Sequence, residues 1–141
     1  MRLLIVALVA CSSPKPAPHA AAQPLLYDRL GGRDAIASVV KDLVEVQVAH
    51  DKRLGKKLAN VHVAELEEQL TTQLCELTGG PCKYTGKPMR DVHGGLAISD
   101  AELAAFVEDL GAALRDASIG AAEQHELVGI VQGMHDEIVA R

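Results

Sequence analysis

His93 stands in a stretch, residues 79–98, that is rich in glycine and weak in apolar pattern. The same stretch carries Lys83, Lys87 and Arg90, although the chain as a whole has a formal net charge of −5. A connection of this length inside a compact domain is usually functional or disordered, and a local group of cations beside an imidazole in an acidic protein marks where chemistry is to be sought. By itself, an isolated histidine in a glycine-rich loop is an ordinary surface residue. Cys75 and Cys82 flank Gly79-Gly80-Pro81, a turn that could bring them together. A disulfide needs Cα atoms within about 7 Å, so spacing alone leaves a bond and two free thiols both open.

The third cysteine has a different setting. Arg2 is followed by an apolar run over residues 3–10 and then Cys11, too short for a bilayer span but fitting a secretory leader. Leu8-Val9-Ala10-Cys11 resembles a bacterial lipobox. That resemblance implies cleavage before Cys11, acylation of its sulfur and new amine, and a membrane anchor made of several acyl chains where one would be marginal. Ser12 beside the cysteine points to the outer membrane, facing the periplasm; an ordinary signal cut among residues 20–22 is the alternative. Pro14, Pro16, Pro18 and Pro24 with small residues between them cannot build a core. They read as a tether reaching about 40 Å at polyproline spacing. The expected organisation is therefore a signal over 1–10, a lipidated cysteine and tether over 11–24, and a folded domain over 25–141.

Apolar residues make up 48% of the chain, enough for one core, while Tyr27, Tyr84 and Phe106 are all the aromatics. The acidic balance argues against nucleic acid as a partner. Ile36, Val39, Val40, Leu43 and Val44 recur at the helical period, and so do Val63, Leu66, Leu70, Leu74 and Leu77. The second run should stop near Thr78, because Gly79-Gly80-Pro81 cannot continue it. Ser99 with Glu102 has capping-box form and opens a third helix on Leu103, Phe106, Val107, Leu110 and Leu114. A fourth runs on Leu127, Ile130, Val131, Met134 and Ile138. No segment alternates over strand length, so an all-α fold is expected.

Leu26-Tyr27-Asp28-Arg29-Leu30-Gly31-Gly32 is followed, in order, by Gly79-Gly80-Pro81, Tyr84-Thr85-Gly86 and Met89-Arg90-Asp91-Val92-His93. This series resembles the opening and the central signature of the group 1 truncated haemoglobins over residues 25 to about 139. The central signature is specific; the glycine pairs alone would be weak. The resemblance implies a two-over-two helical sandwich with a largely unwound stretch before the proximal histidine. It also implies one haem b, with His93 as the iron ligand, and contacts to the cofactor from Tyr84, Met89, Arg90, Leu66, Leu70, Val44 and Phe106. A neutral imidazole binds iron through one nitrogen while the other donates to a carbonyl or similar acceptor. Arg90, Lys83 or Lys87 could pair with the haem propionates, with solvated surface roles as the alternative, above all for the lysines.

The chain departs from the family on the side where a gas ligand binds. The family's Phe-Tyr pair falls on Leu43-Val44, and a one-residue insertion before Leu58 allows the shifted register Val44-Glu45; neither restores the tyrosine. A phenylalanine pair falls on Lys57-Leu58, and usual aromatics fall on Gln73 and Leu74. Leu66 and Leu70 occupy the positions facing the ligand, leaving Gln69 or Gln73 as the only nearby donors. The second histidine of some cyanobacterial relatives is matched by Gln69, and His62 reads as a capping or surface residue. His19, His50, His125 and His135 read as incidental or solvated.

Together these residues imply a non-enzymatic globin that binds diatomic gases, oxygen with nitric oxide or carbon monoxide, in the cell envelope. The competing expectation is a degenerate globin that has lost haem and serves as a helical interaction module.

Overall fold

The computed structural model describes residues 22–140. The expected signal over 1–10, Cys11, His19 and residues 11–21 of the expected tether lie outside the described residues. Helices are α1 (Leu26–Arg29), α2 (Gly32–Asp42), α3 (Val63–Leu77), α4 (Met89–His93), α5 (Asp100–Asp116), α6 (Ala121–Gly133) and α7 (His135–Ile138). A π-helical segment, Leu43–Val48, continues α2, and a 3-10 turn, Gly55–Leu58, precedes α3. Among the described residues there is no strand, and no helix is long and apolar enough to cross a membrane.

Two helix pairs make the body: α2 packs on α3, α5 packs on α6, and the π segment lies against α5. The stripe Ile36, Val39, Val40, Leu43 and Val44 is buried, as its period requires, and meets Leu110, Ala113, Leu114 and Leu127 in one core. With so few aromatics, the space is filled by branched aliphatics and by alanines that let helices approach closely, such as Ala105 and Ala113 at no exposure.

The helix ends follow from their cap residues. Ser99 Oγ accepts from the Glu102 amide at 3.2 Å while Glu102 Oε2 accepts from the Ser99 amide at 2.9 Å, a reciprocal capping box at the start of α5. α3 ends in a Schellman arrangement: the Gly80 amide reaches the Cys75 carbonyl at 2.8 Å and the Gly79 amide that of Glu76 at 3.1 Å. Gly79 has φ +91°, which an L side chain resists, and a Cβ on Gly80 would collide with the Tyr27 ring and Cys75 Sγ.

Cys75 and Cys82 are joined by a disulfide with Cα atoms 5.7 Å apart, tying the end of α3 to the approach to α4. The opening segment is tied down as well. Tyr27 donates its amide to the Thr78 carbonyl at 2.9 Å, and Arg29 bridges Glu123, at 2.9 Å, and Glu126 on α6.

Two features differ from the pattern-based expectation. The fourth helix is two: it breaks at Met134, between α6 and α7, just after Gly133, a poor helix former. On α3 the buried face is Thr71, Gln73, Leu74 and Cys75, whereas Val63 and Leu77 are exposed and Leu66 and Leu70 only half-buried. Of the apolar stripe read from the sequence, Leu66, Leu70 and Leu74 border a cavity, which leaves the first two some exposure, while Val63 and Leu77 lie outside it.

Candidate functional site

That cavity lies between α3 with the π segment on one side and α4, α5 and α6 on the other, with a volume of about 410 Å³. This falls within the usual range for cofactor and ligand sites, about 300–1,000 Å³. Leu43, Val44, Leu66, Leu70, Met89 and Phe106 line it, so its walls are overwhelmingly hydrocarbon. Val61, Val92 and Leu96 also line it while remaining 39%, 42% and 43% exposed. Apolar side chains left in water around a cavity mouth are what a large apolar ligand would cover.

His93 is the last residue of α4, a single turn that begins after Pro88 and ends at Gly94-Gly95. Its Nδ1 is 2.9 Å from the Met89 carbonyl oxygen, one turn back. A carbonyl can only accept, so Nδ1 is the donor, and in the neutral ring that leaves the lone pair on Nε2. The ring is held in the tautomer and orientation that a metal-binding imidazole needs. Half-buried, it lines the cavity and also a second, more open cleft of about 390 Å³ against α7.

On the opposite wall the register ambiguity is settled by the π turn. Leu43, Val44 and Val48 are buried and line the cavity, while Glu45 is exposed and paired with Lys41 at 3.0 Å. The i→i+5 bonding of a π segment takes up an extra residue without turning the apolar face away from the core. No tyrosine lines the cavity. Gln73 does: only 9% exposed, it has no side-chain hydrogen-bond partner among the described residues. Gln69 does not line it, and sits instead against Gly86, where a Cβ would come within 2.7 Å of its Oε1 and 2.3 Å of the Tyr84 hydroxyl. A side chain there would have to displace both.

Other residues expected at the cofactor are elsewhere. Tyr84 does not line the cavity; its hydroxyl donates to the Lys87 carbonyl at 2.9 Å and braces the loop. Arg90 is exposed and lines the second cleft, because on the one-turn helix its side chain falls outside the main cavity. Lys83 is 3.7 Å from Glu76 and largely in solvent, and neither Lys83 nor Lys87 borders the cavity. His62 makes no side-chain cap, and His135, exposed as expected, also bridges Asp100 and Asp136.

Two residues acquire roles that sequence pattern does not signal. Lys57 and Glu102, legible in the sequence only as a lost aromatic and as half of a capping box, both line the cavity. The Ser99 amide, foremost, and then its hydroxyl and Lys57 hold the Glu102 carboxyl below the ordinary range. Among the described residues no cluster of three or more His, Cys, Asp or Glu side chains is placed to hold a metal ion. A metal here would depend on His93 together with a ligand of its own.

Residues 25–140 match the bacterial-like globin family. The chain is 30% identical over 114 residues to group 1 truncated haemoglobin GlbN of a Nostoc species, covering 81% of this chain and 96% of the relative. It is 27% identical over 116 residues to the group 1 truncated haemoglobin of Tetrahymena pyriformis, covering 82% of this chain and 95% of the relative. The crystal structure of the truncated haemoglobin from Tetrahymena pyriformis in its Fe(III) form superposes with a TM-score of 0.79. That match has 26% identity and covers 84% of this chain and all of the other.

Proposed function

The chain belongs to the bacterial-like globins, among the group 1 truncated haemoglobins, and from that membership we propose that it holds one haem b in the 410 Å³ cavity through His93 and binds diatomic gases there. The observation that carries this reading is the His93 ring, its Nδ1 committed to the Met89 carbonyl and its Nε2 left with a lone pair, in a side chain lining the apolar cavity. The residues present fit the group: one imidazole for the metal, hydrocarbon walls for the macrocycle, and exposed Val61, Val92 and Leu96 for it to cover. A bound haem supplies an iron centre that takes dioxygen, nitric oxide or carbon monoxide.

The chain's own residues then set which gas stays. Val44, Leu66 and Leu70 offer a gas ligand no hydrogen bond. Gln73 is the one amide lining the cavity among the described residues, and its side chain has no hydrogen bond there that a ligand contact would have to replace. We therefore assign Gln73, and not Gln69, as the donor on that side. Besides His93, the ionisable residues lining the cavity among the described residues are Lys57 and Glu102, which stand 3.4 Å apart; with haemoglobins as its relatives, the chain is read as a gas-binding protein. Leu8-Val9-Ala10-Cys11 supports a lipid-anchored placement at the outer membrane, facing the periplasm.

Carbon monoxide added to the reduced, haem-loaded protein tests the gas site. A sharp shift of the main haem absorption band at one equivalent is expected; a spectrum indifferent to carbon monoxide would refute it.

A further inference from the structure

The two sides of the cavity come from distant stretches of chain, and one charged contact joins them. Lys57, in the 3-10 turn, donates from Nζ to the Leu96 carbonyl at 2.6 Å and stands 3.4 Å from Glu102 Oε1. Leu96 lies three residues beyond His93, and Glu102 is in the first turn of α5. All three line the cavity, and the side chains of Lys57 and Glu102 are 33% and 21% exposed, which puts the contact at the rim. Glu102 is not free to wander: its Oε2 is held by the Ser99 amide at 2.9 Å and hydroxyl at 3.1 Å, leaving Oε1 for Lys57.

Lys57 does two jobs with one side chain. Its methylene stem adds to the hydrocarbon wall, and its ammonium group reaches the solvent edge. Apart from His93 it is the only basic residue lining the cavity among the described residues. Glu102, held ionised beside it, would repel a haem carboxylate from the same amine. The amine's work is therefore between the walls.

Resting on the reading of the cavity as a haem site, we propose that Lys57 and Glu102 are positioning residues for the cofactor. With the Leu96 carbonyl they tie the wall before α3 to the turn directly after His93. They fix the width of the cavity at its rim and slow the escape of haem, in a site where Lys57-Leu58 supplies no aromatic packing.

The test is haem transfer from the loaded full-length protein to excess apomyoglobin, followed by absorbance. Lys57→Met and Glu102→Gln should each release haem about two- to fivefold faster, the scale of a partly exposed ion pair. Glutamine still serves the capping box, so helix α5 is preserved in the second variant. Lys57→Arg should restore a rate close to wild type, and the double variant should be no faster than Lys57→Met. Salt at about 1 M should speed release from wild type and leave Lys57→Met unchanged. Unchanged rates, additive effects, or a fast Lys57→Met with a silent Glu102→Gln would each overturn the proposal; the last would place the amine on a haem carboxylate. A wild-type chain that takes up no haem overturns the haem reading and this one together. A chain that takes it up and loses it at the variants' rate overturns only this one.

Discussion

His135 Nε2 lies 2.6 Å from Asp100 Oδ1, joining the start of α7 to the start of α5. Its Nδ1 is 3.1 Å from Asp136 Oδ1, and α7 packs on α4, the turn that carries His93. The bond to Asp100 first, and then that to Asp136, raises the His135 pKa above its ordinary 6.5. The native state then binds the proton more tightly than the unfolded one. The contribution is fully present below about pH 6.5 and is lost as pH rises through the raised value. Melting temperatures measured from about pH 6 to about pH 9 should fall more steeply for wild type than for His135→Gln. Parallel curves would show that the bridge carries no proton-linked stability.

The Cys75–Cys82 disulfide closes a short loop, a separation of 7 residues. On the chain-entropy account such a loop is worth roughly 2–3 kcal/mol, mainly by restricting the unfolded chain. Urea unfolding of the Cys75→Ser/Cys82→Ser protein should show that loss, whereas a variant as stable as wild type would mean that relaxation at the Gly79-Gly80 turn absorbs it.

Hydrogen bonds to a charged group are worth roughly 1.5–3 kcal/mol, or about ten- to a hundredfold in a dissociation rate. With Val44 where a tyrosine would donate, dioxygen should leave quickly and Val44→Tyr should slow it on that scale. Carbon monoxide, much less polarised, should barely respond. Flash photolysis and stopped-flow mixing measure both. Gln73→Leu should hasten dioxygen release further, and Gln69→Leu should change nothing, because that side chain packs on Gly86. An effect of Gln69→Leu with none from Gln73→Leu would reverse the assignment.

Anchoring is decided by mass spectrometry of the mature N-terminus. An acylated Cys11 is expected, with the protein partitioning into the membrane fraction. An unmodified terminus beginning beyond residue 20 would refute it.

Elements whose signals are local were legible in the sequence. Ser99 and Glu102 mark the start of α5, the glycines after Thr78 mark the end of α3, and the period of Ile36 to Val44 marks the buried face of α2. The all-α fold followed from these, and the candidate ligand His93 from its surrounding motif. Features that depend on a partner from elsewhere in the chain were not legible. The π turn at Leu43–Val48 leaves the apolar pattern readable in two registers, and burial chooses between them. Gln69 and Gln73 are one turn apart and look alike in sequence, but only the fold shows that a glycine-lined loop captures one and the cavity takes the other. Lys57 reads as a missing aromatic until Leu96 and Glu102, some forty residues on, arrive beside it.

The central claim is that His93 ligates haem iron in this cavity, and titration of the purified apoprotein with haemin, followed by absorbance, tests it most directly. Wild type should saturate at one haemin per chain with a sharp main absorption band. His93→Gly should bind weakly, with a broadened band, and added imidazole should restore the wild-type spectrum by taking the vacated place. A wild-type chain that leaves haemin with its free spectrum, or a His93→Gly protein that titrates like wild type without imidazole, would contradict the claim.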